Sequence, residues 1–139
     1  MKKYFYIGFF GFLGAITRYY IKTYGFNFYS GIFPIATILI NIFGAFLIAF
    51  FLRAAAKTNL ISEEWRLGIA TGFLGAFTTF STLCKDSVLL MLSGHYTIFI
   101  QYITLSVILG LFMIYAGNVS FNKLYSYSSK AYSEGSEDA

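Results

Sequence analysis

Four hydroxyl side chains crowd the stretch Gly75-Ala-Phe-Thr78-Thr79-Phe80-Ser81-Thr82, inside an otherwise apolar segment. Away from water each backbone group without a partner costs on the order of several kcal/mol, so groups able to replace a helical hydrogen bond decide whether the helix runs on or breaks. Two conformations answer the pattern. In one, the helix is continuous and its Ser and Thr hydroxyls bond back to preceding carbonyls. In the other it breaks near mid-membrane, which is tolerated only inside protein or beside a wet cavity, and the freed carbonyls become ligands for a hard cation such as Na⁺. The break is the expected conformation.

Further polar groups recur on other apolar segments at helical spacing. Thr37, Asn41 and Gly44 stand at i, i+4, i+7 and share one face. The Asn41 amide must bond either a neighbouring helix or a permeant species, and its NH₂ group offers donors suited to an anion. Tyr102 and Ser106 are also four apart, with Gly110 next on the same stripe, so two more hydroxyls could donate to an anion. Phe80 is either lipid-facing bulk or an aromatic ring whose positive edge meets an anion sideways. Arg18 either snorkels to the membrane surface or makes a vestibule electropositive.

Other chemistries lack their equipment. The single cysteine, Cys84, can form no disulfide within the chain, and one histidine, His95, cannot build a metal cluster. Neither has a nucleophile, base and orienter arrangement around it, so the chain is not expected to be an enzyme. The acid near a membrane segment, Asp86, adjoins Lys85, which favours a structural pair or an interface position over a proton relay. A net charge of +4 comes from basic residues that flank apolar runs and form no continuous stripe, which disfavours nucleic acid.

The elements that must carry these groups follow from composition. Apolar and aromatic residues make up 58% of the 139 and charged residues 12%, about half the charge of an ordinary soluble domain, which excludes a water-facing globule. Long uncharged runs predict four spans, about Tyr4 to Tyr24, Ile32 to Leu52, Trp65 to Met91 and Tyr96 to Val119, in an all-α membrane protein. Residues 1–125 are expected to form one four-helix transmembrane unit, and the Ser-rich, acidic stretch 126–139 a disordered polar tail. Gly8, Gly11, Gly14 and Ala15 in the first span, and Gly68, Gly72, Gly75 and Ala76 in the third, read as packing seams. Seven basic residues fall on the face that holds both termini (Lys2, Lys3, Arg53, Lys57, Arg66, Lys123, Lys130) and three on the other (Arg18, Lys22, Lys85), which favours termini inside.

Several ordered motifs now point to a family. Gly11-Phe-Leu-Gly14-Ala15-Ile-Thr-Arg18-Tyr19, Thr37-x-x-x-Asn41-x-x-Gly44-x-Phe46-Leu47 and Gly72-Phe-Leu-Gly75-Ala-Phe-Thr78-Thr79-Phe80-Ser81-Thr82 resemble the signatures of the CrcB/Fluc fluoride channels, and the resemblance covers about Tyr6 to Gly117. It implies an antiparallel dimer of four-helix subunits in a plasma or inner membrane, with the third helix broken. Two narrow fluoride pores and a structural Na⁺ at the dimer interface would follow, together with passive electrodiffusive export of cytoplasmic fluoride. It also implies residue roles. Backbone carbonyls of Gly75 and Thr78 would hold Na⁺; Asn41, Thr37, Thr79, Ser81, Tyr102 and Ser106 would line the pore; Phe80 would offer its ring edge to fluoride, and Arg18 would stand near an entrance. Fluoride is small and strongly hydrated, so such a pore must replace its water with closely spaced donors that still release it.

The chain departs from the family pattern in informative places. Leu83 stands where the family has a second pore phenylalanine, Cys84 replaces a small hydroxyl residue, and Gly110 and Ile114 replace later hydroxyls of the fourth span, while Asp86 matches a familial acid. These departures and the charge bias lead to the expectation of a partner encoded by a paralogue and inserted the other way up, with a homodimer as the alternative. Two other classes remain open: a small proton-coupled drug transporter, which would need a membrane carboxylate that spans one, two and four lack, and a non-conducting scaffold subunit.

Overall fold

The computed structural model describes residues 2–26, 29–58 and 61–137. Its elements are α1 (Lys2–Tyr24), α2 (Ile35–Thr58), α3 (Glu63–Leu67), a π-helical segment (Gly68–Leu74), α4 (Gly75–Phe77), α5 (Phe80–Leu92) and α6 (Tyr96–Glu137); no strand occurs among the described residues. The chain is thus all-helical, with α3 through α5 making one interrupted run between the long helices. Residues 35–58, 63–92 and 96–129 are long and apolar enough to cross a bilayer. At 23 residues α1 matches them in length, but Arg18, Lys22 and its tyrosines lower its hydropathy.

Local chemistry sets several boundaries. Pro34 precedes α2, and its carbonyl accepts the first helical bond from the Ile38 amide at 3.3 Å. α5 ends in a Schellman turn: Gly94 takes φ +75°, its N–H donates to the Met91 carbonyl at 3.0 Å, and the His95 N–H donates to the Leu90 carbonyl at 2.9 Å. α6 runs unbroken past residue 125 to Glu137. Its Ser, Lys and Tyr residues, with no proline among them, permit a helix to continue out of an apolar one once it is nucleated.

Two pairings hold the helices. α1 packs along α3, the π segment and α4. A Cβ on Gly14 would collide with the Phe73 backbone, and one on Gly72 would come within 2.6 Å of the Ile7 carbonyl, so these backbones touch where side chains are missing. At the start of this seam Trp65 packs edge-on to Tyr6 and Phe10, with ring centroids 5.4 and 5.5 Å away. The second pairing sets α2 along α6, and α5 leans on α6 beside it. Ile38, Leu90 and Tyr102, one from each of α2, α5 and α6, form the buried cluster where those three meet.

Candidate functional site

Between α4 and α5 the backbone leaves the helix. Thr78 (φ −72°, ψ 154°) and Thr79 (φ −145°, ψ 107°) are extended, and each side of this interruption is repaired by a different device. The Thr79 peptide is held by the Asn41 amide of α2: the Thr79 N–H donates to Asn41 Oδ1 at 2.8 Å, and Asn41 Nδ2 donates to the Thr79 carbonyl at 3.1 Å. Gly44, one turn along α2, makes room for this contact, because a Cβ there would overlap the Thr78 methyl. On the other side Thr79 caps α5, its Oγ1 accepting from the Thr82 N–H at 3.2 Å and donating to Thr82 Oγ1 at 2.8 Å. Thr78 turns back, with its N–H and Oγ1 both donating to the Leu74 carbonyl at 3.0 and 2.9 Å.

These diversions change what the ends of the two helices offer. In a continuous helix the Thr79 and Thr82 amides would bond the carbonyls of Gly75 and Thr78. Here they go to Asn41 and to the Thr79 hydroxyl, so both carbonyls lose their helical donors. Neutral oxygens of this kind suit a hard cation, and a helix C-terminus adds partial negative charge. The start of α5, a 13-residue helix, offers the opposite sign at Phe80 and Ser81. One interruption therefore presents a cation-favouring and an anion-favouring end.

A second polar cluster lies along α5. Asp86 Oδ2 accepts from Thr37 Oγ1 at 2.7 Å and from the Tyr102 hydroxyl at 3.4 Å, joining α2, α5 and α6. Thr37 and Tyr102 are 1% and 0% exposed, while Asp86 is half-buried. The outer side of this triad borders a wide mouth of about 490 Å³ whose lining includes Lys22, Thr37, Asp86 and His95. The adjacent Lys85 is not what Asp86 engages; the structural pair expected from sequence gives way to hydroxyl partners on other helices.

Residues 5–118 match the family described as CrcB-like protein, Camphor Resistance (CrcB). The chain belongs to the CrcB family. It is 43% identical over 115 residues to the fluoride-specific ion channel FluC 1 of Bacillus thuringiensis subsp. konkukian, a match covering 81% of this chain and 84% of the relative. It is 40% identical over 119 residues to the fluoride-specific ion channel FluC 2 of Listeria monocytogenes serovar 1/2a, covering 86% and 90%. Membership, with three helices long and apolar enough to span, makes this CrcB chain a multi-pass membrane protein.

Within this CrcB subunit the sequence-derived residues fall into separate groups. Asn41 and Thr79 are bonded to each other, with Ser81 Oγ 3.4 Å from Thr79 Oγ1. Thr37 and Tyr102 converge on Asp86. Phe80, 79% exposed, lines a groove between α5 and α6 together with Ser106, whose hydroxyl donates to the Tyr102 carbonyl at 2.7 Å. Arg18 is half-buried on α1, and the basic residue of α1 at the wide mouth is Lys22, one turn further on. Sequence reasoning gave Asp86 no site role, although an ionisable residue within a span is itself a signal of function.

Proposed function

We propose that this chain is a subunit of a fluoride-specific channel that lets fluoride leave the cytoplasm by passive electrodiffusion, working as an antiparallel dimer with a structural Na⁺. The observation that carries the reading is the Asn41–Thr79 clamp. It holds the run open at Thr78 and Thr79 without any ionised group, and so leaves donors and acceptors of opposite polarity on the two sides. The reading draws further support from relatives named fluoride-specific ion channels at about this similarity.

In this proposal the channel unit is residues 1–125, and the break sits at mid-membrane. The carbonyls of Gly75 and Thr78 from each subunit would hold Na⁺, which supplies positive charge where two negative helix ends meet. Phe80 projects from the subunit and would reach the pore with its ring edge. Asn41, Thr79 and Ser81 at the break, and Thr37, Tyr102 and Ser106 along α2 and α6, would supply the donors that replace water around fluoride. Lys22 at the mouth, with Arg18 one turn before it on α1, would draw anions toward the triad. Asp86 holds the hydroxyl protons of Thr37 and Tyr102 in the resting subunit and would surrender them to an arriving anion.

Exposure supports assembly. Phe80, Val88, Leu92, Ile100, Val107, Ile108 and other large apolar residues of α5 and α6 are open to the surroundings, which suits lipid and a second subunit. Partner identity divides into two cases, a copy of this chain or a paralogue inserted the other way up; relatives numbered 1 and 2 fit the second.

The test is fluoride efflux from liposomes holding the purified chain alone, with chloride and Na⁺-free controls. Fluoride-selective efflux at channel rates is the expected result if the chain pairs with itself, and efflux only after co-reconstitution with a paralogue supports the pair. No efflux in either arrangement overturns the reading and leaves the scaffold alternative.

A further inference from the structure

Ser87 stands seven residues after Phe80 on α5, and with Cys84 it completes an i, i+4, i+7 face. These three residues and Ser106 of α6 line one groove of about 520 Å³, whose remaining lining, Leu83, Val88, Ile103 and Val107, is apolar. Ser87 is only 7% exposed, so its hydroxyl is held within the walls and does not wave in lipid. Its Oγ donates to the Leu83 carbonyl at 2.7 Å, as Ser106 Oγ donates to the Tyr102 carbonyl at 2.7 Å.

Both protons therefore rest on carbonyls of their own helices, four residues back, and neither hydroxyl is spent on a partner across the groove. Such back-bonds are released by a single side-chain rotation, because the carbonyl keeps its helical amide donor. A small hard anion between α5 and α6 would offer each hydroxyl a charge-assisted bond in exchange, which is shorter and about twice as strong. Beyond Ser106 the same stripe of α6 carries Gly110 and Ile114, which have no donor to give. Toward the α5–α6 turn, away from Gly110 and Ile114, Ser87 is the hydroxyl that the facing helix adds to Ser106.

We propose that Ser87 is a further specificity-determining donor for the permeating anion, acting from α5 opposite Ser106 on α6. The proposal rests on the fluoride-channel reading and adds a residue to it. Cys84, the single cysteine of the chain, lies exposed in the same groove and serves as its reporter.

The experiment compares parent, Ser87→Ala and Ser87→Thr in two measurements on the reconstituted full chain. In liposome efflux, Ser87→Ala is expected to slow fluoride by about tenfold, the loss of one hydrogen bond to a charged partner. Ser87→Thr, which keeps the hydroxyl, restores the rate, and the assembly elutes unchanged on size exclusion in all three. In the second measurement a methanethiosulfonate reagent modifies Cys84, followed by mass, and fluoride slows the modification in the parent and in Ser87→Thr but not in Ser87→Ala. Equal fluoride efflux by parent and Ser87→Ala overturns the proposal. If the parent carries no fluoride either alone or with a paralogue the channel reading fails, and the thiol measurement then decides: loss of fluoride protection in Ser87→Ala supports Ser87 as a ligand, and equal protection or none overturns it.

Discussion

The run from α3 to α5 and the pair α2–α6 are both apolar enough to span a bilayer, yet they are built on opposite rules. α2 and α6 are unbroken, and the polar contacts at their far end, an Arg53 Nε bond to Asn122 Oδ1 at 3.3 Å and Lys57 Nζ 5.1 Å from the centroid of the Tyr125 ring, are exposed and add little. The α3–α5 run widens into a π segment, breaks at Thr78 and Thr79, and takes its missing hydrogen bonds from α2 and from its own side chains. Continuous helices hold position. The irregular one exposes backbone atoms that can meet ions, and it does so only because a continuous neighbour lends it an amide.

The largest effect expected from breaking that loan is at Asn41. Asn41→Leu leaves the Thr79 N–H and carbonyl unpaired at a buried site, each costing about 1–3 kcal/mol, so both flux and thermal stability in detergent fall together. Asn41→Asp keeps an acceptor for the Thr79 N–H but opposes a carboxylate to its carbonyl, and flux falls more than stability. Gly14→Val comes next: a side chain driven into the Phe73 backbone forces α1 off the irregular run, a cost of about 1–3 kcal/mol or more, read as loss of monodisperse protein.

Phe80→Ile separates function from folding. Because the ring projects from the subunit, the melting temperature of the subunit changes little, whereas fluoride efflux drops by about tenfold if the ring edge contributes a bond's worth of stabilisation. If Na⁺ binds there as proposed, replacing it by a large organic cation acts on the same region; at about one hundred times its dissociation constant a bound ion stabilises by about 2.7 kcal/mol, expected as a lower melting temperature in Na⁺-free buffer. The smallest effect belongs to the continuous pair: Arg53→Ala shifts stability by about 0.5 kcal/mol and leaves flux at the parent rate.

The sequence made the polar faces legible and left their partners hidden. The i, i+4, i+7 spacing placed Thr37, Asn41 and Gly44 on one stripe, and the structure keeps them there, but spacing gives no hint that Thr37 meets Asp86 while Asn41 meets Thr79. Asp86 looked like the neighbour of Lys85 because adjacency is visible in a chain and packing is not; residues next to each other on a helix point about 100° apart. Gly14, Gly68 and Gly72 were readable as a seam, since lack of a side chain is a local property, whereas Gly8, read the same way, faces open space. The π geometry was not readable, as a shift in backbone hydrogen-bond register leaves no mark in residue types.

The Asn41 side chain grips both polar atoms of a single peptide unit, which fixes that unit's plane as well as its position. In the proposed channel, a peptide unit pinned at both polar atoms is a fixed wall and not a hinge. Throughput would then be set by how quickly an ion sheds and regains water, with a shallow temperature dependence, where a carrier that rocks between two states would slow steeply on cooling.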